Sequence, residues 1–291
     1  MKIAVIADIH CNRISLEAVL DALVAEKPDS IACAGDSVGC SAYAAGARHV
    51  WRALQEQRIP CVLGNEETRI LDFHSVNPNP YLAASVQFMP LQYLARQFSA
   101  ADIAAMRALP VDLLIEGPAG QNVLVCHGSP GNVWRSPRQG IDVAMEQRLA
   151  AAPASVIAVG HLHTRWHQYW QGKLLVMAGS AGLPLRGMLD EVEVLLLTFR
   201  RQGGWQFEYQ TVKYDARAAI AEAIASPFLQ QAGPIGWLML DEILTQQDRM
   251  IPFLLTYCPA QKPDDRAGWE SLVTGYLQQL GRWDAVKMLL P

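Results

Sequence analysis

Several short apolar runs in this chain end in histidine or aspartate, and these junctions constrain the fold more than any other feature. Short apolar runs bounded by turn signals predict buried strands. The residues at their ends are Asp8-Ile9-His10, Gly35-Asp36, Cys126-His127 and Gly160-His161-Leu162-His163. Because open α/β sheets place their ligands outside the carboxyl ends of the strands, we expect these side chains to meet at one edge. The pattern therefore predicts a metal site there.

The segments around these junctions predict an α/β fold. A strand over residues 2–7, a helix over 14–25 and a strand over 30–34 form a β-α-β unit, whose crossover is expected to be right-handed. A third strand is predicted over 61–63, before Gly64-Asn65. Hairpins are predicted where 111–115 meets 122–126 and where 192–199 meets 205–212.

The character of the chain changes at about Tyr214-Asp215. The segment Ala216–Ala225 is rich in alanine and predicts a helix, and short apolar helices follow over 237–243, 251–255, 269–280 and 283–290. We therefore predict a domain over 1–215 and a helical extension over 216–291. Tryptophans in the extension indicate that it packs, either on its own domain or on a second copy, so a homo-oligomer through these helices stays open.

Composition narrows the class of function. The 291 residues carry a net charge of −4 without any run of like charge, which argues against a general nucleic-acid-binding surface. None of the six cysteines forms a C-x-x-C pair, so a thiolate metal site is disfavoured. No apolar segment is long enough to span a bilayer and no signal peptide is recognisable. We expect a cytoplasmic protein without a membrane partner.

The polar residues at the strand ends outnumber the ligands that one ion needs. They are Asp8, His10, Asp36, Asn65, His127, His161 and His163. Two ions that share a carboxylate use about this many ligands. Nitrogen and oxygen donors without sulfur suit manganese, iron, zinc or nickel, and we favour manganese.

The same motifs, in this order, resemble those of the calcineurin-like metallophosphoesterases. The family pattern of D-x-H, G-D, G-N, a single H and G-H-x-H is matched over residues 1–215. His127-Gly128-Ser129-Pro130 and Tyr214-Asp215 are similar to small bacterial cytosolic phosphodiesterases and phosphatases of this family. The resemblance implies a four-layer α-β-β-α sandwich of two mixed sheets flanked by helices, followed here by the helical extension.

The resemblance also implies a role for each ligand. One ion would be held by Asp8, His10, Asp36 and His163. The other would be held by Asp36, Asn65, His127 and His161. Asp36 would bridge the two ions together with a hydroxide that attacks phosphorus in line.

Two departures from the family pattern concern the substrate. The family usually has a histidine after Gly-Asn that protonates the leaving oxygen, and here the residue is Glu66. We predict that Glu66 is a catalytic residue, together with Asp36 and Asn65. The alternative is that Glu66 contacts a metal ion. Since good leaving groups need little protonation, the change favours phosphodiesters and activated monoesters. The second departure is Val176-Met177-Ala178 before Gly179-Ser180, where relatives usually have Asn-Pro.

Two further residues are candidates for binding the substrate phosphate. Asn12 follows the first motif, where it could contact a phosphate oxygen or stabilise the turn. Arg135 follows His127 and could clamp a phosphate or stay solvated.

The sequence thus predicts a dimetal phosphoesterase that hydrolyses a small phosphodiester or an activated phosphomonoester. A first alternative is a non-catalytic interaction module on the same fold, as in the retromer subunit that resembles these enzymes. A second is a nuclease, as in the related subunit of the double-strand-break repair complex, which the acidic balance disfavours.

Overall fold

A computed structural model describes residues 1–186 and 188–291. The strands are β1 (Lys2–Ile6), β2 (Ser30–Cys33), β3 (Asp112–Ile115), β4 (Val123–Cys126), β5 (Val156–Val159), β6 (Arg165–Trp170), β7 (Lys173–Ala178), β8 (Glu191–Arg200) and β9 (Gly204–Lys213). They form one sheet in the order β2-β1-β8-β9 and another in the order β3-β4-β5-β7-β6. Each sheet contains parallel and antiparallel pairs, as predicted.

The helices cover the outer faces of the two sheets. They are α1 (Arg13–Glu26), α2 (Ala47–Glu56), α3 (Asn65–Phe73), α4 (Pro80–Ala84), α5 (Met89–Ala95), α6 (Ala100–Arg107), α7 (Val143–Ala151), α8 (Ala216–Ala225), α9 (Phe228–Gln231), α10 (Gly233–Thr245), α11 (Met250–Pro252), α12 (Arg266–Gln279) and α13 (Trp283–Lys287). A π-helical turn, Phe253–Tyr257, continues α11. No helix in the described part of the chain is both long and apolar enough to cross a membrane.

Alternation of side chains along the strands produces the layers. Ile3 and Val5 of β1 pack against Val125 and Val156 of the other sheet, while Ala4 faces the opposite way, toward the helices. On the far side, α7 packs on the outer face of the second sheet. The order helix, sheet, sheet, helix confirms the predicted four-layer sandwich.

Two of the sequence predictions for secondary structure need correction. The predicted strand over 61–63 is wrong: only Cys61 forms a bridge, with Cys33, because the chain then turns away and Leu63 N–H donates to Pro110 O. The predictions missed β6, an edge strand whose partly exposed residues lack a clear apolar alternation. Both predicted hairpins are confirmed as β3–β4 and β8–β9.

The C-terminal helices pack on the same chain. Phe228, Leu238 and Trp269 are buried in one continuous core with Leu16 of α1 and Leu91 of α5. The rings of Trp237 and Trp283 lie 5.6 Å apart and join α10 to α13. This packing places the helices beside the sheet edge where the predicted ligands lie.

Candidate metal centre

The loops that follow β1 and β2 run side by side. Asp8 N–H donates to Gly35 O at 3.1 Å and His10 N–H donates to Asp36 O at 3.1 Å. Because β1 and β2 are parallel neighbours, their carboxyl ends lie at the same edge. The first two motifs are thus joined by backbone hydrogen bonds before any ligand is considered.

Left-handed backbone conformations are concentrated at this edge. The φ angles are +53° at Asp8, +46° at His10, +48° at Asp36, +81° at His161 and +52° at His163. Each such non-glycine residue costs about 1 kcal/mol or more and persists only where its surroundings impose it. All five are predicted ligands, which is the pattern expected where side-chain direction matters more than local stability.

The acidic and imidazole groups converge into two overlapping sets. Asp8, His10 and His163 each offer a ligand atom within 4.8 Å of the others, and so do Asp8, Asp36 and His127. Asp36 Oδ2 lies 3.7 Å from His10 Nε2 and 3.3 Å from His127 Nε2. The Asp36 carboxylate therefore stands between histidines that the resemblance assigns to different ions.

Asn65 connects the remaining histidine, His161, to the rest of the site. Its Oδ1 lies 3.0 Å from His127 Nε2 and 2.8 Å from His161 Nδ1. Its Nδ2 donates to Glu66 Oε1 at 3.0 Å, which orients the amide so that the oxygen faces the histidines. The structure thus brings all seven predicted ligands together at one edge, which we call the ligand rim.

Backbone carbonyls fix two of the imidazole rings. His127 Nδ1–H donates to Ala34 O at 2.8 Å and His163 Nδ1–H donates to Leu183 O at 2.7 Å. Each bond leaves Nε2 directed at a carboxylate, the arrangement typical of metal-bound histidine. Among the described residues neither ring nitrogen of His10 has a hydrogen-bond partner, although both are buried. Nitrogen and oxygen lone pairs that converge without a hydrogen-bond donor between them suit divalent cations. The ligand atoms of the rim therefore fit the ions that the family implies.

The charges of His161, His163 and Asp36 agree with this fit. Burial lowers the pKa of His161 to about 4 and that of His163 to about 3, so both rings are neutral near pH 7. Burial also opposes a charge on His127, but the Asp36 carboxylate outweighs it and raises the pKa of His127 to about 10. Burial disfavours ionised Asp36, yet His127 and His10 hold its pKa well below the usual range. Neutral imidazole and ionised carboxylate are the forms that bind metals, so bound cations would displace the proton of His127 and that of Asp8, whose pKa burial raises.

Glu67 is a residue of this site that the sequence analysis missed. Its buried carboxylate accepts from Asp36 N–H at 3.0 Å, Gly64 N–H at 2.9 Å, Ser37 Oγ–H at 2.8 Å and Val38 N–H at 3.2 Å. It therefore ties the Asp36 loop to the start of α3. The spacing from Gly64 to Glu67, from N-cap to N3, is the signal that could have identified it.

Glu66 is held by partners of its own. Its Oε2 accepts from Cys40 N–H at 3.0 Å, and its Oε1 pairs with the Arg69 guanidinium one turn further along α3. Arg69 also lies over the Trp134 ring, with Cζ 5.2 Å from the centroid. The sequence analysis missed Arg69 too, although the i,i+3 spacing from Glu66 was visible.

Of the two predicted phosphate contacts, the structure brings neither to the rim. Asn12 Oδ1 accepts from Ser15 N–H at 3.1 Å and Asn12 Nδ2 donates to Gly182 O at 2.9 Å, so this buried side chain caps α1. Arg135 is half-exposed and pairs with Asp142 at 3.2 Å.

The segment with the second departure from the family pattern supports Asp8. Ser180 Oγ–H, just after β7, donates to Asp8 O at 2.7 Å. Gly179 has a φ of +81°, and a Cβ there would come 2.2 Å from Glu193 Oε2. The Ser180 hydroxyl therefore braces the first motif.

The ligand rim opens into a cavity of about 610 Å³. One side is formed by the segment around α5, with Phe88, Pro90 and Leu91, and by Leu183 and Leu185 after β7. The other is a set of residues from α10 to the π-helical turn that we call the helical wall: Met239, Glu242, Asp248, Met250, Ile251 and Leu254. The insertion after the third motif and the C-terminal extension thus shape the same space.

Comparison with known proteins agrees with this architecture. The model of the calcineurin-like phosphoesterase superfamily domain matches residues 1–201. The fold is similar to that of a metallophosphoesterase from Sphaerobacter thermophilus, with 20% identity and a TM-score of 0.59 over 84% of this chain and 100% of that one. It is also similar to a hypothetical protein from Pyrococcus horikoshii OT3, with 16% identity and a TM-score of 0.63 over 85% and 99% of the two chains. No curated protein matches the chain. Since the family model covers more than half of its length, the chain belongs to the calcineurin-like phosphoesterase superfamily.

Proposed function

We propose that the chain is a dimetal phosphoesterase that hydrolyses a phosphodiester or an activated phosphomonoester. The observation that carries the proposal is the ligand rim itself, where seven donor side chains meet and five of them line a cavity. Strained backbone costs stability, and oriented imidazoles present nitrogen lone pairs to a ligand. Both features are therefore expected at a binding site. Membership of the family supports the reaction type.

Each residue of the rim has an expected role in binding the two ions. Asp8, His10, Asp36 and His163 would hold one ion, and Asp36, Asn65, His127 and His161 the other. Two divalent cations, manganese being our first choice, supply when bound a water of lowered pKa and positive charge beside the phosphoryl oxygens. Ala34 O and Leu183 O keep His127 and His163 in the tautomer that leaves Nε2 free. Glu67 holds the Asp36 backbone in place.

The chemistry at Glu66 favours good leaving groups. The Glu66 carboxylate raises the pKa of Arg69, so the cavity there carries a guanidinium that stays charged. A guanidinium can stabilise charge on a phosphoryl oxygen, but it does not donate a proton to a leaving alkoxide. We therefore expect phosphodiesters and aryl esters to be turned over in preference to alkyl monoesters.

The first test is hydrolysis of bis(p-nitrophenyl) phosphate by the manganese-loaded protein. Wild type should release p-nitrophenolate, whereas Asp36→Asn should fall to the background rate because it removes the shared carboxylate. Asp21→Asn, on the exposed side of α1, makes the same change away from the rim and should retain activity. A protein that loads metal fully and turns over no aryl phosphate would contradict the proposal.

Metal analysis separates this proposal from its alternatives. A purified protein that contains no transition metal and takes none up would favour the non-catalytic interaction module. Cleavage of single-stranded DNA at moderate salt would favour the nuclease.

The second test addresses the preference for diesters. Glu66→His restores an imidazole beside Asn65 and should raise the ratio of p-nitrophenyl monoester turnover to diester turnover. Glu66→Gln supplies no proton donor and should not raise that ratio. An unchanged ratio in Glu66→His would refute our interpretation of this position.

A further inference from the structure

The cavity is larger than the phosphoryl group requires. Its volume of about 610 Å³ lies within the range of about 300–1,000 Å³ that is usual for pockets holding whole small molecules. Residues of the ligand rim and of the helical wall both line this space. A substrate whose phosphorus lies at the rim therefore has room for its remaining part beside the wall.

Most of that space has an apolar lining. Phe88 and Leu91 contribute from one side, Leu183 from the loop after β7, and Met239 and Met250 from the helical wall. These side chains offer no hydrogen bonds, so they suit a hydrocarbon portion of the substrate. An extended chain of further phosphates would find no partner among them.

Two carboxylates interrupt the apolar lining. Glu242 is 5% exposed, and among the described residues both hydrogen bonds to its side chain, from Arg249 N–H and Met250 N–H at 2.9 Å each, end on Oε1. Asp248 Oδ1 accepts from Ile251 N–H at 3.0 Å. Each side chain therefore keeps a second oxygen for a ligand.

The guanidinium of Arg249 is paired with a different carboxylate. Arg249 Nε–H donates to the buried Asp241 at 2.7 Å, as does Arg282 Nε–H, also at 2.7 Å. Among the described lining residues Arg69 is the one lysine or arginine, and it pairs with Glu66 at the rim. Burial, with a contribution from Asp248, raises the pKa of Glu242 to about 7 although Arg249 opposes the rise, and a bound cation would oppose it further.

We propose that the substrate is a phosphodiester whose second alcohol carries a positively charged group beyond a hydrocarbon spacer, with Glu242 and Asp248 receiving the charge. This proposal rests on the proposed function, because the phosphorus must lie at the ligand rim. It names the substrate class by its chemistry: an ester of an amino or quaternary ammonium alcohol.

The test compares two esters of p-nitrophenyl phosphate that differ only in charge. One carries choline and the other 3,3-dimethylbutanol, in which carbon replaces the ammonium nitrogen. Wild type should show a kcat/KM at least about tenfold higher for the choline ester, equal to about 1.4 kcal/mol. Calorimetric titration of the metal-loaded protein with phosphocholine and 3,3-dimethylbutyl phosphate should show the same difference in Kd.

Variants of the wall residues test whether the wall causes the preference for the choline ester. Glu242→Gln keeps an oxygen for the two backbone donors, and Asp248→Asn changes a partly exposed residue, so both are suited to folding normally. Each should bring the ratio of the two kcat/KM values toward one. Glu208→Gln removes an exposed charge on β9 and should leave the ratio as in wild type.

The outcomes distinguish this inference from the proposed function. If both esters are hydrolysed equally, the inference is overturned while the phosphoesterase stands. Preference for the p-nitrophenyl ester of thymidine 5′-phosphate over the choline ester would also overturn it. If no diester is hydrolysed by metal-loaded protein, the proposed function itself has failed.

Discussion

The ligand rim and the helical wall line the same cavity but are built in opposite ways. Six of the seven rim residues lie on loops and Asn65 begins α3, and five of the seven have left-handed backbone. The wall begins on α10, a regular helix that is buried along most of its length. A helix that is apolar on nearly all sides must be enclosed by other elements, here α5 and α12 among them.

In this molecule, stability comes from the packed helices and chemistry from the strained loops. Residues in sparsely populated conformations persist only if well-packed elements around them hold the backbone. The hydrogen bonds that hold the rim run between the loops after β1 and β2 and the start of α3, and they do not involve the wall. We infer that the wall can be loosened without loss of the metal ligands, and that the rim can be weakened without loss of the wall.

The largest expected effect is on the wall. The buried Asp241 carboxylate accepts from both Arg249 and Arg282, which joins α10 to the start of α13. Asp241→Asn leaves two guanidinium groups without a counter-charge and should lower the free energy of unfolding by about 3–4 kcal/mol. Urea unfolding of the metal-free protein measures the loss.

Metal affinity decides whether the two regions are separable. Asp241→Asn should bind manganese as tightly as wild type, measured by competition with a chelator. Asp264→Asn changes an exposed residue of the same extension and should alter neither quantity. A parallel loss of metal affinity in Asp241→Asn would show that the rim depends on the wall.

A smaller effect on the wall depends on pH. Burial raises the pKa of Glu242 to about 7, above its ordinary value of 4.5. Between these values the unfolded chain releases the proton while the folded chain keeps it, so the free energy of unfolding falls as pH rises through this window. Glu242→Gln cannot ionise, so relative to wild type it should gain up to about 3 kcal/mol between pH 4 and pH 8.

Unfolding by urea at the two pH values provides the measurement. Glu208→Gln serves as the control, because an exposed carboxylate meets water in both states. A constant difference between Glu242→Gln and wild type would mean that this carboxylate is solvated in the folded protein.

The sequence analysis predicted the rim better than the wall, for a physical reason. Asp8, His10 and His163 each follow a short apolar strand, so their position at a sheet edge is a property of a few consecutive residues. The predicted hairpins are local in the same sense. Glu242 belongs to a cavity only because α10 packs beside α5, and no short segment contains that information.

Intermediate cases show where local reasoning stops. Glu67 had a visible capping spacing, but its contact with Asp36 requires that the loop after β2 lies against the start of α3. The sequence left Asn12 either as a phosphate contact or as a residue that stabilises the turn. In the structure its side chain caps α1. The strand predicted over 61–63 failed because its pairing with β2 stops at Cys61.

The smallest expected effect lies at the rim and concerns Glu67. Glu67→Gln places an amide NH₂ against backbone donors that the carboxylate now accepts, so the Asp36 loop loses part of its attachment. Loss of a residue that supports a ligand typically lowers metal affinity or activity about 10–100-fold, or about 1.4–2.7 kcal/mol. We expect that loss in manganese affinity, with the wall intact as judged by the ratio of choline ester to neutral ester turnover. Glu56→Gln, an exposed change on α2, should match wild type. If Glu67→Gln shifts the ester ratio instead and binds manganese normally, the support attributed to Glu67 is wrong, and the rim and the wall are coupled through α3.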